Sequence, residues 1–277
     1  MRALRAWLAL VLSLASGSAL AQASGPEPTL LPIPETYEGR TIELRTWLQI
    51  PEGPGPFNTV MLVPGCDGLD RNGWPQMQTW ARWLLQLHYA VMIVDSFTPR
   101  GVTNACRNGD IVPGQLHAAD MYTAAAYIAH MPRLQGGKVG AIGFSHGGWG
   151  VLEAASNRMP GVVALRGELA KQHVGISALV AVYPACYRHI EASFAVPLLI
   201  IIGAKDDWTY ARACERLTAY PRSGSAEVRL KVYPNAYHVF DIDKPPRRYL
   251  GHVLEYDAAA TADARRQIEQ FFAHWLK

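Results

Sequence analysis

The sequence predicts an α/β fold, in which helices cover both faces of a mostly parallel, doubly wound sheet. Short β-rich runs alternate with longer helical patterns along most of the chain, and this alternation is typical of parallel sheets. Most of the runs are almost wholly apolar, as expected for strands that are covered on both faces. Of the 277 residues, 49% are hydrophobic and 18% are charged, which is typical of a globular protein. The sequence contains no repeat, linker or change in composition, and we expect a single domain.

The individual elements follow from hydrophobic spacing. Strands are predicted over residues 59–63, 90–94, 138–142, 177–183, 197–202 and 228–233. Apolar residues spaced by three and four predict helices between them, as in Met77, Trp80, Leu84 and Leu87, in Met121, Ala124, Ile128 and Met131, and in Ile268, Phe271, Phe272, Trp275 and Leu276. The main domain is predicted over residues 57–277. The proline-rich residues 22–56 are expected to form an N-terminal arm with one edge strand over 41–50.

The first residues have the pattern of a secretory signal peptide over residues 1–21. Arg2 and Arg5 precede a short apolar run, and small residues follow up to Ala21, after which we expect cleavage. The apolar run is interrupted by serines and glycine, which favours cleavage over retention as a membrane anchor. The sequence therefore predicts a periplasmic or secreted protein without stable membrane insertion after cleavage.

The charge of the chain excludes one class of partner. The formal charge of +3 includes the two arginines of the predicted signal peptide, whose removal leaves +1. No block of Lys and Arg and no basic stripe with interleaved aromatic residues is visible. We therefore expect no nucleic-acid partner.

Four cysteines follow the predicted cleavage site: Cys66, Cys106, Cys186 and Cys214. An even number of cysteines in an exported chain favours disulfides, and three pairings are possible. Their spacing matches no zinc-binding pattern, so no metal is expected.

A glycine-rich turn joins a predicted strand to a predicted helix at residues 143–148, which read Gly-Phe-Ser-His-Gly-Gly. Gly143 and Gly147 lie two positions before and after Ser145, as in a nucleophile elbow, where a side chain at either place would collide with the neighbouring strand or helix. The helix that follows directs its N-terminus toward the serine. This placement favours a nucleophilic Ser145 over an ordinary Gly-Ser turn.

A nucleophilic serine needs a general base and an acid to orient it, and after an elbow these come in the order acid, then histidine. His238 is the only histidine directly after a late predicted strand, and we predict it as the base. Asp206 and Asp207 are adjacent after the strand at 197–202. We favour Asp206, at the tip of the strand, as the acid; Asp207 is expected to cap a helix over residues 208–220.

Two main-chain N–H groups are predicted to stabilise the oxyanion of the reaction: those of His146 and of Cys66, which lies in the loop after the strand at 59–63. The His146 side chain is expected to form a pocket wall. Residues 97–110 and 159–175 are expected to shape the pocket mouth.

With these positions assembled, the chain resembles the dienelactone hydrolase family from about residue 40 onward. The matching segments are residues 64–68, 94–97 with Arg100 and Gly101, 143–148, 203–209 and 233–241. The resemblance implies an α/β-hydrolase fold, no cofactor and a small-molecule ester or lactone as substrate. The family's namesake enzymes carry cysteine where this sequence has Ser145, which favours general ester chemistry over dienelactone itself.

The fold that the resemblance implies also suggests a disulfide pairing. Cys66 and Cys106 would follow neighbouring strands at one sheet edge, and Cys186 and Cys214 would follow two later strands. The pairs Cys66–Cys106 and Cys186–Cys214 are therefore expected to tie together the loops around the pocket.

The function predicted from the sequence is serine hydrolysis of a carboxylic ester or lactone through an acyl-enzyme intermediate. A serine peptidase or an acyltransferase would use the same residues and differ in pocket shape. A non-catalytic binding protein that kept the fold is the alternative from another class, and the complete set of Ser145, Asp206 and His238 argues against it.

Overall fold

The computed structural model describes residues 26–189, 192–220 and 223–277. The predicted signal peptide lies outside the described residues. Within the described part of the chain, no helix has both the length and the apolar character that crossing a bilayer requires.

An eight-stranded sheet forms the centre of the molecule. Its strands are β1 (Thr29–Tyr37), β2 (Arg40–Gln49), β3 (Thr59–Val63), β4 (Ala90–Asp95), β5 (Val139–Phe144), β6 (Ala178–Val182), β7 (Leu198–Gly203) and β8 (Val228–Tyr233). The strand order is β1-β2-β4-β3-β5-β6-β7-β8, with β3 to β8 parallel to one another and β1 and β2 antiparallel to their neighbours. The predicted mostly parallel sheet is confirmed.

Helices cover both faces of this sheet. They are α1 (Gly73–Gln86), α2 (Gly114–Ile128), α3 (His146–Ala155), α4 (Pro160–Lys171), α5 (Ala211–Ala219) and α6 (Ala258–Trp275). Two glycines of β5 show which helix lies on which face. A Cβ at Gly140 would meet Phe272 of α6, whereas one at Gly143 would meet Val151 of α3. Since residues three apart on a strand point to opposite faces, α6 and α3 lie on opposite sides.

Helices α1 and α2 also lie on opposite faces of the sheet. Trp80 of α1 packs against Phe144 of β5 with ring centroids 5.2 Å apart, on the α6 side of the sheet. Helix α2 packs on α3 on the other side. A short ribbon of β9 (Arg247–Tyr249) and β10 (His252–Leu254) lies between β8 and α6 in the chain.

The N-terminal region differs from the sequence prediction. Residues 22–56 were expected to hold one edge strand at 41–50, but that stretch is β2, which pairs with β4, and the edge strand is β1. The prolines Pro32 and Pro34 made this segment resemble a loop. They are tolerated because they lie two residues apart on an edge strand, so the main-chain nitrogens of both point to the same side. On that side, away from the neighbouring strand, a missing N–H costs no hydrogen bond of the sheet.

Candidate active site

Ser145 lies in a strained turn between β5 and α3. Its φ of 50° and ψ of −108° are unusual for a residue other than glycine, and its N–H donates to the Val182 carbonyl at 2.9 Å. The two flanking glycines are required by close contacts, since a Cβ at Gly143 would collide with the Gly147 carbonyl and one at Gly147 with the Val63 carbonyl. The turn therefore has the geometry that a nucleophile elbow needs.

The structure brings Ser145, His238 and Asp206 together from three different loops. The Ser145 Oγ lies 3.0 Å from Nε2 of His238, and Nδ1 of His238 lies 2.7 Å from Oδ2 of Asp206. Because a carboxylate only accepts hydrogen bonds, Nδ1 carries the proton, and Nε2 is left to accept from the serine hydroxyl. His238 and Asp206 are 1% and 3% exposed, so both are shielded from water.

Asp206 is held as a carboxylate by its neighbours. Burial alone would raise its pKa, but the interaction with His238 and the hydrogen bonds from Thr209 and Trp208 outweigh burial and lower the pKa. The main-chain N–H groups of Trp208 and Thr209 both donate to Oδ1 at 2.9 Å. The Thr209 hydroxyl lies 2.9 Å from Oδ2. The acid therefore faces the imidazole in a fixed orientation.

Asp207 has a different position from the one expected. Helix α5 begins at Ala211, not near residue 208, and Asp207 does not cap it. The Asp207 carboxylate instead accepts from the main-chain N–H of Val253 at 3.2 Å, and its carbonyl oxygen lies 3.0 Å from Nδ1 of His252. The helix prediction failed because residues 208–210 form a turn around Asp206.

The two predicted oxyanion donors lie beside Ser145. His146 follows Ser145 directly and begins α3, while the loop that carries Cys66 approaches from β3. A Cβ at Gly65, the residue before Cys66, would lie 3.6 Å from the Ser145 Cβ. The structure therefore places both main-chain segments around the serine, and their role as donors remains a prediction.

The His146 side chain is held by two hydrogen bonds. Its Nε2 donates to the Gly109 carbonyl at 2.9 Å, and its Nδ1 accepts from Nε2 of His117 at 2.9 Å. Burial lowers the pKa of His146. Burial and the neighbouring His146 lower the pKa of His117 well below its usual value. Both rings are therefore neutral at physiological pH, and they fix the start of α3.

Two cavities border Ser145. The larger cavity has a volume of about 150 Å³ and is walled by His146, Trp149, Arg188 and Trp208. The smaller cavity has a volume of about 50 Å³ and is bordered by His238. His146 is thus a pocket wall, as predicted.

Of the two segments expected at the pocket mouth, only one lines a cavity beside Ser145. Ala105, Cys106 and Gly109, within the predicted 97–110, line the larger cavity. The prediction for residues 159–175 is wrong: most of this segment forms α4, which packs on α2, and it contributes to neither cavity. Its length between two predicted strands gave no sign of which end of the sheet it would cover.

A buried polar network behind His238 was missed by the sequence analysis. The Tyr183 ring lies 4.7 Å from the His238 ring, and its hydroxyl donates to Asp241 at 2.7 Å. Asp241 also accepts from Gln76 at 2.8 Å and from the Trp80 indole at 2.7 Å. The only signal in the sequence was the position of Asp241 three residues after the histidine.

Two disulfides tie together the loops around the site. Cys66 is bonded to Cys106, and Cys186 to Cys214, as the resemblance implied. The first joins the loops that follow β3 and β4, and the second joins the segment after β6 to α5. In the described ranges, no group of three or more His, Cys, Asp and Glu side chains has the arrangement of a metal site.

Comparison with known proteins places the chain in a family. The model of the dienelactone hydrolase family matches residues 44–276. A search of curated proteins found no match. Among solved structures, the dienelactone hydrolase of Anabaena variabilis is 21% identical, with a TM-score of 0.63 over 90% of this chain and 99% of that one.

Two esterases have the same fold. A Pyrococcus furiosus esterase is 14% identical, with a TM-score of 0.61 over 91% of this chain and 93% of that one. Esterase 2 of Thermogutta terrifontis is 12% identical, with a TM-score of 0.62 over 90% and 94%. These likenesses confirm the α/β-hydrolase fold, and the match over residues 44–276 shows that the chain belongs to the dienelactone hydrolase family.

Proposed function

We propose that this hydrolase cleaves a carboxylic ester or lactone through an acyl-enzyme formed on Ser145. The observation that carries the proposal is the continuous path of hydrogen bonds from the serine to Asp206. It runs over 3.0 Å from Ser145 to His238 and over 2.7 Å from His238 to Asp206. This is the arrangement in which a neutral imidazole accepts the serine proton.

The first half of the reaction forms the acyl-enzyme. The Ser145 Oγ attacks the carbonyl carbon while its proton moves to Nε2 of His238, and Asp206 stabilises the resulting imidazolium. The carbonyl oxygen becomes an oxyanion, which the main-chain N–H groups of Cys66 and His146 stabilise. The bond to the alcohol oxygen then breaks, and Nε2 returns the proton to that oxygen.

The second half releases the acid. A water molecule gives a proton to Nε2 of His238 and attacks the acyl carbon, and the bond to Ser145 breaks as the serine oxygen takes the proton back. Asp206 keeps the proton on Nδ1 of His238 during both halves. Its Oδ1 is occupied by the main-chain N–H groups of Trp208 and Thr209, so Oδ2 stays directed at Nδ1.

The cavities indicate the size of the acyl group. His238 must reach the leaving oxygen, and it borders the smaller cavity, so the acyl group occupies the larger one. A cavity of about 150 Å³ holds a benzene-sized group. We therefore expect short or single-ring acyl groups as the preferred substrates.

The cell compartment is part of the proposal. Two disulfides are typical of proteins that fold in an oxidising compartment. Together with the pattern of residues 1–21, they support action in the periplasm or outside the cell.

Turnover of p-nitrophenyl acetate and p-nitroacetanilide tests the reaction class. Wild type should hydrolyse the ester far faster than the amide, and Ser145→Ala and His238→Ala should each lower kcat for the ester by about 10⁴-fold or more. Equal rates on both substrates would favour the peptidase alternative. Unchanged ester turnover in Ser145→Ala would refute the proposal.

A further inference from the structure

The smaller cavity contains two charged side chains that the proposed mechanism does not use. Asp67 follows Cys66 in the loop after β3, and Arg247 begins β9; both line this cavity together with His238 and Tyr249. Because His238 returns the proton to the leaving oxygen, the cavity that it borders receives the alcohol part of the ester. Asp67 and Arg247 therefore face the leaving group.

Within the described ranges, neither charge has a charged partner in contact, and the Asp67 carboxylate accepts a hydrogen bond from its own main-chain N–H. Among the described residues, no opposite charge lies within 4.0 Å of Asp67 or of Arg247, and no other side chain forms a hydrogen bond with either. Both side chains are half-buried. A half-buried charge without a partner is costly, and such groups are commonly kept where they bind a ligand.

The two signs together restrict the ligand. A carboxylate on the alcohol would be repelled by Asp67, and an ammonium would be repelled by Arg247. A hydroxyl group both donates and accepts, so it suits a cavity that holds both side chains: it can donate to Asp67 and accept from Arg247. At about 50 Å³, the cavity admits a short alcohol and not a long chain.

We propose that Asp67 and Arg247 are specificity-determining residues that bind a free hydroxyl on the alcohol part, so that monoesters of short diols are the preferred substrates. This inference rests on the proposed ester hydrolysis at Ser145. Burial, with a contribution from Asp70, raises the pKa of Asp67 to about 6, against the lowering effects of its own main-chain N–H, Arg247 and His238.

A pair of esters of equal size tests the inference. In 2-hydroxyethyl acetate a hydroxyl replaces the terminal methyl group of n-propyl acetate. Because the hydroxyl would form hydrogen bonds with charged groups, we expect wild type to prefer the hydroxyl ester by about 10- to 100-fold in kcat/KM. Asp67→Asn and Arg247→Gln should each lower this preference about tenfold or more, mainly through a higher KM for the hydroxyl ester.

Arg248→Gln is the matched control and should leave the preference as in wild type, since Arg248 is exposed, donates to the Gly251 carbonyl at 2.8 Å and is not among the residues that line the smaller cavity. Equal wild-type rates on the two acetates, with p-nitrophenyl acetate still hydrolysed, would overturn this inference and leave the proposed function standing. An equal loss on both acetates in Asp67→Asn would show a structural role and also overturn it. No turnover of any of the three esters would refute both proposals.

Discussion

The Thr209 hydroxyl lies 2.9 Å from Oδ2 of Asp206, the same oxygen that accepts the hydrogen bond from His238. The hydroxyl also lies 3.1 Å from the Tyr183 carbonyl, but the charged carboxylate attracts its single proton more strongly. Thr209 thus fixes the oxygen that accepts from the His238 imidazole.

Thr209→Val is expected to lower kcat about tenfold, because the hydroxyl is lost while the main-chain N–H to Asp206 remains. KM should stay within about twofold, since Thr209 acts through Asp206. Steady-state kinetics on p-nitrophenyl acetate measure this split. Thr209→Ser keeps the hydroxyl and should restore most of the rate; a serine variant as slow as the valine variant would contradict the role.

Asp241→Asn should lower the free energy of unfolding by about 3 kcal/mol, as measured by urea denaturation. The buried carboxylate accepts hydrogen bonds from Gln76, Trp80 and Tyr183, and an amide group would turn a donor toward one of these donors. Asp243→Asn, two residues later and exposed, is the control and should change stability little. Equal stabilities of the two variants would argue against the network.

Arg100→Met is expected to destabilise the protein by about 3–5 kcal/mol, because it leaves Asp120 buried without its partner. The guanidinium makes two bonds to Asp120 at 2.8 and 2.9 Å and lies 3.6 Å from Glu35 of β1. Chemical denaturation measures the loss. Arg107→Met, an exposed change in the same loop region, should stay within about 0.5 kcal/mol of wild type.

Asp67→Asn is expected to stabilise the protein in a pH-dependent way. Burial raises the folded-state pKa of Asp67 to about 6 from an ordinary value of 3.8, so between these values the folded state holds the proton more tightly than the unfolded chain. The wild type therefore loses stability relative to Asp67→Asn as pH rises from about 4 to about 6.

The difference in unfolding free energy should be near zero at pH 3.5 and on the order of 1–3 kcal/mol in favour of the variant at pH 8. Thermal unfolding of both proteins at the two pH values measures it. A variant that is less stable than wild type at pH 8 would show that the Asp67 carboxylate contributes to the fold and is not a strained group at a binding site.

The residues that could be predicted from the sequence are those whose role depends on position along one strand. Ser145 was recognisable because its glycines mark a strand-to-helix turn, and His238 because it follows the last parallel strand. The six strands of the main domain were readable from their apolar runs. Strand β1 was missed because Pro32 and Pro34 normally interrupt strands, and only its edge position makes them harmless.

The residues that could not be predicted depend on contacts between distant segments. Gln76 and Asp241 are 165 positions apart, and Asp67 and Arg247 line the same cavity only because the loop after β3 and the β9–β10 ribbon both border it. Single polar residues of this kind have no periodic signal. An aspartate directly before a helical pattern fits a helix cap, and the sequence therefore predicts this role for Asp207. In the structure the chain first turns around Asp206.

Covalent labelling followed by mass spectrometry tests most directly the proposal that Ser145 is the nucleophile. Folded wild-type protein treated with paraoxon should gain one diethyl phosphate, and peptide mapping should locate it on Ser145. Ser145→Ala should gain none. An unlabelled wild type, or a label that persists in Ser145→Ala, would contradict the account.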